Sequence, residues 1–211
     1  MDILIVLENK SGSIHRMSLE ALAAGQKLAS ELNLSLSILA MGKNGGDLAN
    51  DVSNFKADEI LLLENPILDN YSSDGYSHAF TSILGQEKPK YLFMGHTYMV
   101  RDFLPRVSAK LQIPFISDVI QFKNDNDAPV FTKQVFNAKL AADIVSNSHG
   151  TTLVSFQSAA YQSDQVEPGS AEIRTISIDM DASVIKTQSE EPFKEEAGGI
   201  DLTNAEIVVS I

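Results

Sequence analysis

The sequence contains no cysteine and no tryptophan, and basic residues are in the minority. Without cysteine the chain cannot form disulfides, thiolate nucleophiles, zinc ribbons or cysteine-ligated iron–sulfur clusters. Asp and Glu outnumber Lys and Arg by 28 to 16, which gives a formal net charge of −12 at pH 7. Nucleic acid and anionic membranes are therefore unfavourable partners, because they carry charge of the same sign and no basic stretch offsets it.

Long hydrophobic runs are also missing from the chain. No apolar segment approaches the length that spans a bilayer. The N-terminus has an acid at position 2, and its apolar run is too short for the core of a signal peptide. The chain has 211 residues, of which 44% are hydrophobic, so it can bury one sizeable core. We expect a soluble, cytoplasmic protein with one main domain.

Four short apolar runs in the first half of the chain predict strands. They are Ile3 to Leu7, Leu34 to Ala40, Ile60 to Leu63 and Tyr91 to Met94. Three of them are nearly continuous rather than alternating, which is typical of strands covered on both faces of a parallel sheet. The intervening segments show helical spacing of apolar residues. The pattern predicts a three-layer α/β domain with a mainly parallel sheet flanked by helices, Rossmann-like, with right-handed crossovers.

Two helical segments carry further local signals. The helix around Tyr76 to Leu84 has Asp69, Ser72 and Ser73 upstream as candidate caps, and Gly85 as a candidate stop. The earlier helix contains small residues that would allow close approach to a sheet: Ala23, Ala24 and Gly25.

The second half predicts extra β-strands. Val130 to Phe136, Ala141 to Val145 and Thr151 to Phe156 are short β-prone runs that we expect to be joined by tight turns. Ile173 to Met180, after the Pro168-Gly169 turn signal, is another candidate strand. The composition therefore predicts an α/β domain over 1–186 and an acidic linker over 187–200. Residues 201–211 form an apolar strand that either closes the first sheet or opens a following domain.

A glycine-containing turn from Met41 to Asp47 is a candidate phosphate loop. Its glycines, Gly42, Gly45 and Gly46, follow a strand and precede a helix, so backbone N–H groups could cradle a phosphate. The turn lacks both the Walker and the GxGxxG patterns, which favours an ordinary β-to-α turn. A stand-alone module that binds ATP or AMP through this turn remains the alternative function.

Other catalytic chemistry has little support in the sequence. The histidines, His15, His78, His96 and His149, show no metal-ligand spacing, so no metal site is expected. No GxSxG elbow or comparable nucleophile motif is present.

The residues from His96 to Val119 include a pattern that is typical of the start of a helix. Asp102 is placed as an N-cap, Pro105 falls in the first turn, and Pro114 ends the helix. Asp102 and Arg106 form an i, i+4 acid–base pair. This interpretation gives no role to Arg101, nor to His96 and Thr97.

At these residues the sequence resembles the α subunits of electron transfer flavoproteins. Members carry a strand ending near Thr, a Gly-Arg-acid-x-x-Pro-Arg-Val-Ala-Ala-x-Leu block, a short Pro-containing segment and then Ser/Thr-Asp-Val. The matching positions are Thr97, Arg101, Asp102, Pro105, Arg106, Val107, Ser108, Ala109, Leu111, Pro114, Ser117, Asp118 and Val119. The N-terminal DILIVLE and the segment from Asp201 to Ser210 also resemble that family.

The resemblance implies a role in electron transport within a heterodimer. In the family, FAD is held mainly by the C-terminal domain of the α subunit and the β subunit carries AMP. The N-terminal domain, of the adenine nucleotide α-hydrolase-like fold, is chiefly a docking surface for the β subunit. Because this chain ends at Ile211, we expect an N-terminal domain without FAD of its own, either a fragment or a natural split product. Arg101, Asp102 and Arg106 are then candidates for the partner interface.

The same resemblance implies an electron carrier rather than an enzyme. The complete complex would pass electrons from flavin dehydrogenases, such as the acyl-CoA dehydrogenases of fatty acid oxidation, to a quinone reductase or another acceptor.

The chain departs from the family pattern at several positions. Lys133-Gln134 stands where Arg-Pro is usual, Gln157 stands where arginine is usual, and Val100 replaces a glycine. Lysine cannot make the bidentate pairs of arginine, so these departures indicate a divergent branch.

Overall fold

The structure, a computed structural model, describes residues 1–187 except 11 and 127, together with residues 207 and 209. Apart from residues 187, 207 and 209, the predicted linker over 187–200 and the predicted strand over 201–211 lie outside the described residues. Within the described part, no helix combines the length and the apolarity needed to cross a membrane.

The described helices and strands alternate through the first half of the chain and then give way to successive strands. In chain order they are β1 Ile3–Val6, β2 Asn9–Lys10, β3 Ser13–Ile14, α1 Arg16–Leu32, β4 Leu36–Met41, α2 Gly45–Asp51, β5 Glu59–Leu63, α3 Ser73–Glu87, β6 Tyr91–Gly95, α4 Tyr98–Leu111, β7 Phe115–Asp125, β8 Ala128–Val135, β9 Leu140–Val145, β10 Thr152–Phe156 and β11 Glu172–Ile176. The four strands predicted from the first half are confirmed as β1, β4, β5 and β6.

One nine-stranded sheet organises the domain, in the order β11-β5-β4-β1-β6-β10-β7-β8-β9. Neighbouring strands are parallel from β11 to β7, while β8 and β9 continue the sheet in antiparallel pairing. The predicted α/β class, with a mainly parallel sheet and extra strands in the second half, is confirmed.

The sheet is covered on both faces, which explains the continuous apolar runs. Alternate residues of β1 enter different clusters, with Ile3 and Ile5 against α1, and Leu4 and Val6 against α3 and α4. Gly25 allows α1 to lie directly on β1, since a Cβ at that position would stand 2.4 Å from Ile5 Cδ1. The predicted close approach of this helix is therefore confirmed.

The start of α3 follows the sequence prediction, but its end does not. Ser72 is the N-cap, and its hydroxyl accepts from Gly75 N at 3.1 Å. The helix continues through Gly85 to Glu87, so the predicted stop at Gly85 is wrong. Lys88 instead takes the left-handed C-cap conformation with φ of 47°, and the following Pro89 prevents further helix.

In the second half, only one of the expected tight turns joins neighbouring strands. β8 and β9 form a hairpin through residues 136–139, whereas β10 leaves that hairpin and inserts between β6 and β7. The prediction of a tight turn between β9 and β10 is therefore wrong. Strand β7 was not predicted, because its polar residues obscure the alternation of apolar and polar positions that is typical of a strand. The strand predicted over Ile173 to Met180 is confirmed in its first part as β11.

The antiparallel end of the sheet curls back over the face covered by α1. Phe131 on β8 and Phe93 on β6 have ring centroids 6.1 Å apart, although their strands are three positions apart in the sheet. A flat sheet would separate them by roughly 14 Å, at about 4.8 Å per strand. The bend coincides with Asp118, whose φ is 59°, and with a register shift between Val119 and Gln121.

Asp2 ties together the beginnings of three central strands. Its carboxylate accepts from Ser35 N at 2.9 Å and from Ser35 Oγ at 2.6 Å, and it pairs with Lys90 Nζ at 2.7 Å. The hydrogen bond from Lys90 is the largest cause that holds the pKa of Asp2 well below its usual range, followed by the Ser35 hydroxyl. The carboxylate therefore stabilises the fold only while it is ionised.

Because the pKa of Asp2 is lowered on folding, its stabilisation should be fully present above the ordinary aspartate pKa of about 3.9 and lost as the pH falls below it. We expect Asp2→Asn to lower the melting temperature at pH 7 by about 2–4 °C, corresponding to roughly 1 kcal/mol for this partly exposed pair. Thermal unfolding of both proteins at pH 7, 5 and 3 measures the effect. A difference that does not shrink between pH 5 and pH 3 would contradict the assignment.

Candidate functional site at the carboxyl edge of the sheet

The strand order reverses direction at β1, whose two neighbours are β4 and β6. In open α/β sheets such a reversal opens a crevice at the carboxyl ends of the strands, and ligands commonly bind there. In this chain the reversal is bridged by side chains, because Thr97 Oγ1 donates to Glu8 Oε2 at 2.6 Å. We call the side of the domain where the parallel strands end the carboxyl edge.

Thr97 also caps α4, which corrects the sequence assignment of that helix. Its Oγ1 accepts from Val100 N at 3.2 Å, and the helix begins at Tyr98. The predicted N-cap at Asp102 is wrong, because a better cap lies one turn earlier. Pro105 consequently lies inside the helix rather than in its first turn. Because proline has no N–H, the carbonyl of Arg101 lacks its usual helical hydrogen bond from this position. The prediction that the helix ends before Pro114 is confirmed, since α4 ends at Leu111.

The glycine turn after β4 has a structural explanation. Gly42 has φ of +78°, and a Cβ there would stand 3.1 Å from both Leu68 O and Tyr76 Oη. A side chain at Gly45 would meet Leu62 Cδ1 at 3.3 Å. The backbone path and the close packing thus require glycine at Gly42 without any ligand.

The charges around this turn disfavour phosphate. The cleft of about 350 Å³ beside Gly42, Gly45 and Gly46 is lined by three carboxylate side chains: Asp47, Glu64 and Asp69. The helix that follows, α2, has only seven residues, so its dipole contributes little. A bound phosphate would be repelled by these carboxylates rather than held.

We therefore expect ATP and AMP not to bind through the Met41 to Asp47 turn. Isothermal titration of either nucleotide into the chain should give no heat beyond dilution, and neither should raise the melting temperature. Saturable heat that disappears in a Gly46→Asp variant would restore the nucleotide-binding alternative. Gly46 is suited to this test because a Cβ there meets no atom closer than Glu64 Oε1 at 3.6 Å.

A second cleft at this edge, of about 470 Å³, is aromatic and partly polar. Tyr71, Tyr76, Met41 and Met99 contribute to its lining. Burial is the largest cause that raises the pKa of Tyr76 to about 12, so this phenol stays neutral at physiological pH. Its neighbour Tyr71 is fixed in place, since the Tyr71 hydroxyl donates to Asp102 Oδ2 at 2.6 Å.

Asp102 and Arg106 make contacts within the domain. Arg106 lies between Asp102, at 4.0 Å, and Asp74 on α3, at 3.6 Å. Asp74 in turn accepts from the backbone N–H groups of Lys186 and Thr187, each at 3.1 Å. These two predicted interface residues therefore connect α4 to α3 and, through Asp74, to the backbone of residues 186 and 187.

Arg101 differs from those two residues. It is exposed, and its guanidinium lies 5.5 Å from the ring centroid of Tyr98, which is itself 87% exposed. Among the described residues no carboxylate forms an ion pair with Arg101. The structure thus separates Arg101 from Asp102 and Arg106, and it presents a stacked arginine–tyrosine pair to the solvent.

A polar network that the sequence reasoning missed connects three strand ends at this edge. Buried Ser155 on β10 accepts from Asp118 N at 3.3 Å, and its Oγ is 2.8 Å from His96 Nδ1. Burial is the largest cause that lowers the pKa of His96; Asp118 acts in the opposite direction, and Arg101 and Lys133 lower it further. These hydrogen bonds connect the end of β6 with β10 and with β7. The positive φ of Asp118 could not be read from the residue type.

The other histidines do not assemble into a ligand set. His15 caps α1 by accepting from Met17 N, and His78 Nε2 lies 3.0 Å from Asp179 O. Within the described part of the chain, no group of three or more His, Asp or Glu side chains could hold a metal ion.

Comparison with known proteins identifies the family. Residues 3–180 match the electron transfer flavoprotein domain. The chain belongs to the electron transfer flavoprotein family. It is 30% identical over 210 residues to the electron transfer flavoprotein subunit alpha of Bacillus subtilis (strain 168), a match that covers 99% of this chain and 63% of that subunit.

Other relatives extend this comparison. The chain is 26% identical to the electron transfer flavoprotein subunit alpha of Clostridium acetobutylicum over 98% of its own length and 63% of that subunit. It is 22% identical to the acryloyl-CoA reductase electron transfer subunit beta of Anaerotignum propionicum, over 100% of this chain and 65% of that protein. The chain thus spans less than two thirds of the length of these relatives. The predicted resemblance to electron transfer flavoprotein α subunits is confirmed.

Two of the departures from the electron transfer flavoprotein pattern, Lys133 and Gln157, lie near the bend in β7. Lys133 Nζ donates to Ser117 Oγ at 3.0 Å, directly before Asp118. Gln157 N donates to Val119 O at 2.9 Å, on the other side of Asp118. The fold thereby brings Lys133 and Gln157, which are distant in the sequence, to the two sides of Asp118.

Proposed function

We propose that this chain forms the part of an electron transfer flavoprotein α subunit that docks against the β subunit. The observation that carries the proposal is the family match over residues 3–180, combined with similarity to α subunits over nearly the whole chain. In this role the chain performs no bond chemistry. It contributes packing and partner recognition to a complex that carries electrons.

The pair formed by Arg101 and Tyr98 supports a docking role for the start of α4. Arginine and tyrosine are enriched among the residues that dominate binding energy at protein interfaces. Both side chains are exposed, and no carboxylate of the described chain neutralises Arg101. Asp102 and Arg106 serve the same surface indirectly, because their contacts with Tyr71 and Asp74 fix the orientation of α4.

FAD, which the family implies, does not fit the glycine turn of this chain. A pyrophosphate there would stand beside Asp47, Glu64 and Asp69. At the strand reversal itself, Glu8, which accepts from Thr97, adds another carboxylate that would repel a pyrophosphate. We therefore assign FAD to the complete α/β complex and not to this domain alone.

The redox partners follow by analogy with the family. We propose electron donors of the flavin dehydrogenase type, such as acyl-CoA dehydrogenases, and a quinone reductase or another acceptor. The name of the Anaerotignum propionicum relative connects that protein to acryloyl-CoA reductase, which is consistent with an acyl-CoA partner.

Purification of the chain alone and after co-expression with the β subunit of the same organism tests the proposal. We expect the isolated chain to be colourless and the co-expressed chain to retain the β subunit through affinity and size-exclusion steps. Tightly bound flavin in the isolated chain would refute the assignment of FAD, and failure to retain the β subunit would refute the docking role.

A further inference from the structure

The aromatic cleft of about 470 Å³ has no role in electron transfer or in docking as proposed above. It lies at the carboxyl edge, where β1, β4 and β6 end. The hairpin of β2 and β3, the turn after β4, the segment leading into α3 and the start of α4 border it. Crevices at a reversal of strand order are common ligand sites, so the side chains of this cleft indicate which class of molecule fits it.

Two tyrosines form an aromatic corner in this cleft. The rings of Tyr71 and Tyr76 have centroids 4.9 Å apart and are inclined at 67°, so their faces are close to perpendicular. Met41 and Met99 add apolar, polarisable side chains to the lining. The faces of tyrosine rings attract cations, and aromatic corners of this kind hold ammonium ions covered by methyl groups.

The Tyr76 hydroxyl is available to a bound molecule. A Cβ at Gly42 would stand 3.1 Å from Tyr76 Oη, so the hydroxyl lies beside the turn that borders the cleft. Among the residues that the structure describes, no group forms a hydrogen bond with this oxygen. A ligand with a hydroxyl of its own would satisfy it.

Carboxylates make the cleft favourable for a cation. Asp69 belongs to the lining, and it forms no ion pair with a described residue. After burial, Glu8 and then Asp69 raise the pKa of Tyr76, because both negative charges lie near the phenol. Lys43 is the opposing charge in the lining, so the two carboxylates outnumber it. The net charge of −12 on the whole chain acts in the same direction.

We propose that this cleft binds a small methylated ammonium ion. The cation lies against the faces of Tyr71 and Tyr76, and Asp69 and Glu8 supply the opposite charge. The Tyr76 hydroxyl meets a polar group of the ligand. The inference goes beyond the proposed function, and its test does not require the β subunit.

Isothermal titration of choline into the chain, at an ionic strength held constant with sodium chloride, tests the site. Choline carries a trimethylammonium head and a hydroxyl, and dimethylbutanol is its neutral isostere, in which carbon replaces nitrogen. We expect saturable binding of choline and roughly tenfold or more weaker binding of dimethylbutanol, since the ring faces and carboxylates attract only the cation. Absence of saturable choline binding, or equal affinities for the two molecules, would overturn the proposal.

Asp69→Asn tests the contribution of charge. We expect choline to bind this variant roughly threefold or more weakly, at an unchanged melting temperature, because the Asp69 side chain is exposed and unpaired among the described residues. Asp164→Asn is the matched control, since it removes the same charge from an exposed position in the segment that packs on the α1 side of the sheet. If both variants lose affinity equally, general electrostatic attraction replaces the proposed site.

Substitutions of Tyr76 test the contribution of the ring. Tyr76→Phe keeps the ring face and should bind choline more tightly than Tyr76→Leu, which removes it. Because Tyr76 packs against Phe103, with centroids 5.7 Å apart, the melting temperatures of both variants are compared first. Equal binding by the two folded variants would contradict the role of the ring. If Tyr76→Leu does not fold, the results with dimethylbutanol and with Asp69→Asn decide the question.

Discussion

Replacing Phe93 by alanine is expected to lower the free energy of unfolding by about 3–5 kcal/mol. The Phe93 side chain is fully buried on the central strand β6. Its ring contacts those of Phe156, at 4.9 Å between centroids, and Phe131, at 6.1 Å. The substitution would therefore leave a cavity at the place where the curled antiparallel strands pack on the parallel sheet. Urea titration followed by circular dichroism measures the change.

Phe136→Ala provides the control for this prediction. Phe136 is also a phenylalanine of the antiparallel region, but it is 75% exposed in the turn before β9. Its removal should change the stability by less than about 0.5 kcal/mol. Equal losses for the two variants would show that the curl does not depend on packing at Phe93.

Replacing Arg101 by alanine is expected to weaken association with the β subunit at least tenfold, while the melting temperature stays nearly constant. The side chain is exposed, and its described contact is with the ring of Tyr98, so little intrachain stabilisation is lost. An arginine that is a binding hot spot costs about 2 kcal/mol or more when truncated, which exceeds the roughly 1.4 kcal/mol of a tenfold change. Titration calorimetry and thermal unfolding separate the two effects.

Lys110→Ala is the matched control because it removes the same charge from the last turn of the same helix. This variant should bind the β subunit with unchanged affinity. If Lys110→Ala and Arg101→Ala weaken binding equally, general electrostatic attraction explains the effect. If Arg101→Ala lowers stability and leaves binding intact, Arg101 has a structural role instead.

Much of the fold could be predicted because burial on both faces of a parallel sheet leaves a direct mark on the sequence. The continuous apolar runs identified β1, β4, β5 and β6, and the small residue Gly25 indicated the close packing of α1. Helix ends were less predictable, since several residues compete for each cap. Thr97 took the N-cap role in place of Asp102, and Lys88 took the C-cap role in place of Gly85.

The unpredicted features arise from long-range contacts. β7 was missed because its bend places polar residues among apolar ones. Asp118, with its positive φ, donates its N–H to Ser155, which lies far away in the sequence. The network of His96 and Ser155 joins residues 59 positions apart, so no local pattern indicates it. The family resemblance made Arg101 and Asp102 equal candidates for the partner interface. Their contacts in the fold distinguish them, because Asp102 accepts a hydrogen bond from Tyr71 within the domain, whereas Arg101 lies over the exposed ring of Tyr98.

Light scattering coupled to size exclusion, on an equimolar mixture of this chain and its β subunit, tests the central claim most directly. The account predicts a single species with the mass of one chain plus one β subunit, whereas each protein alone elutes at its own mass. Two separate species at concentrations well above micromolar would contradict the claim that this domain docks against the β subunit.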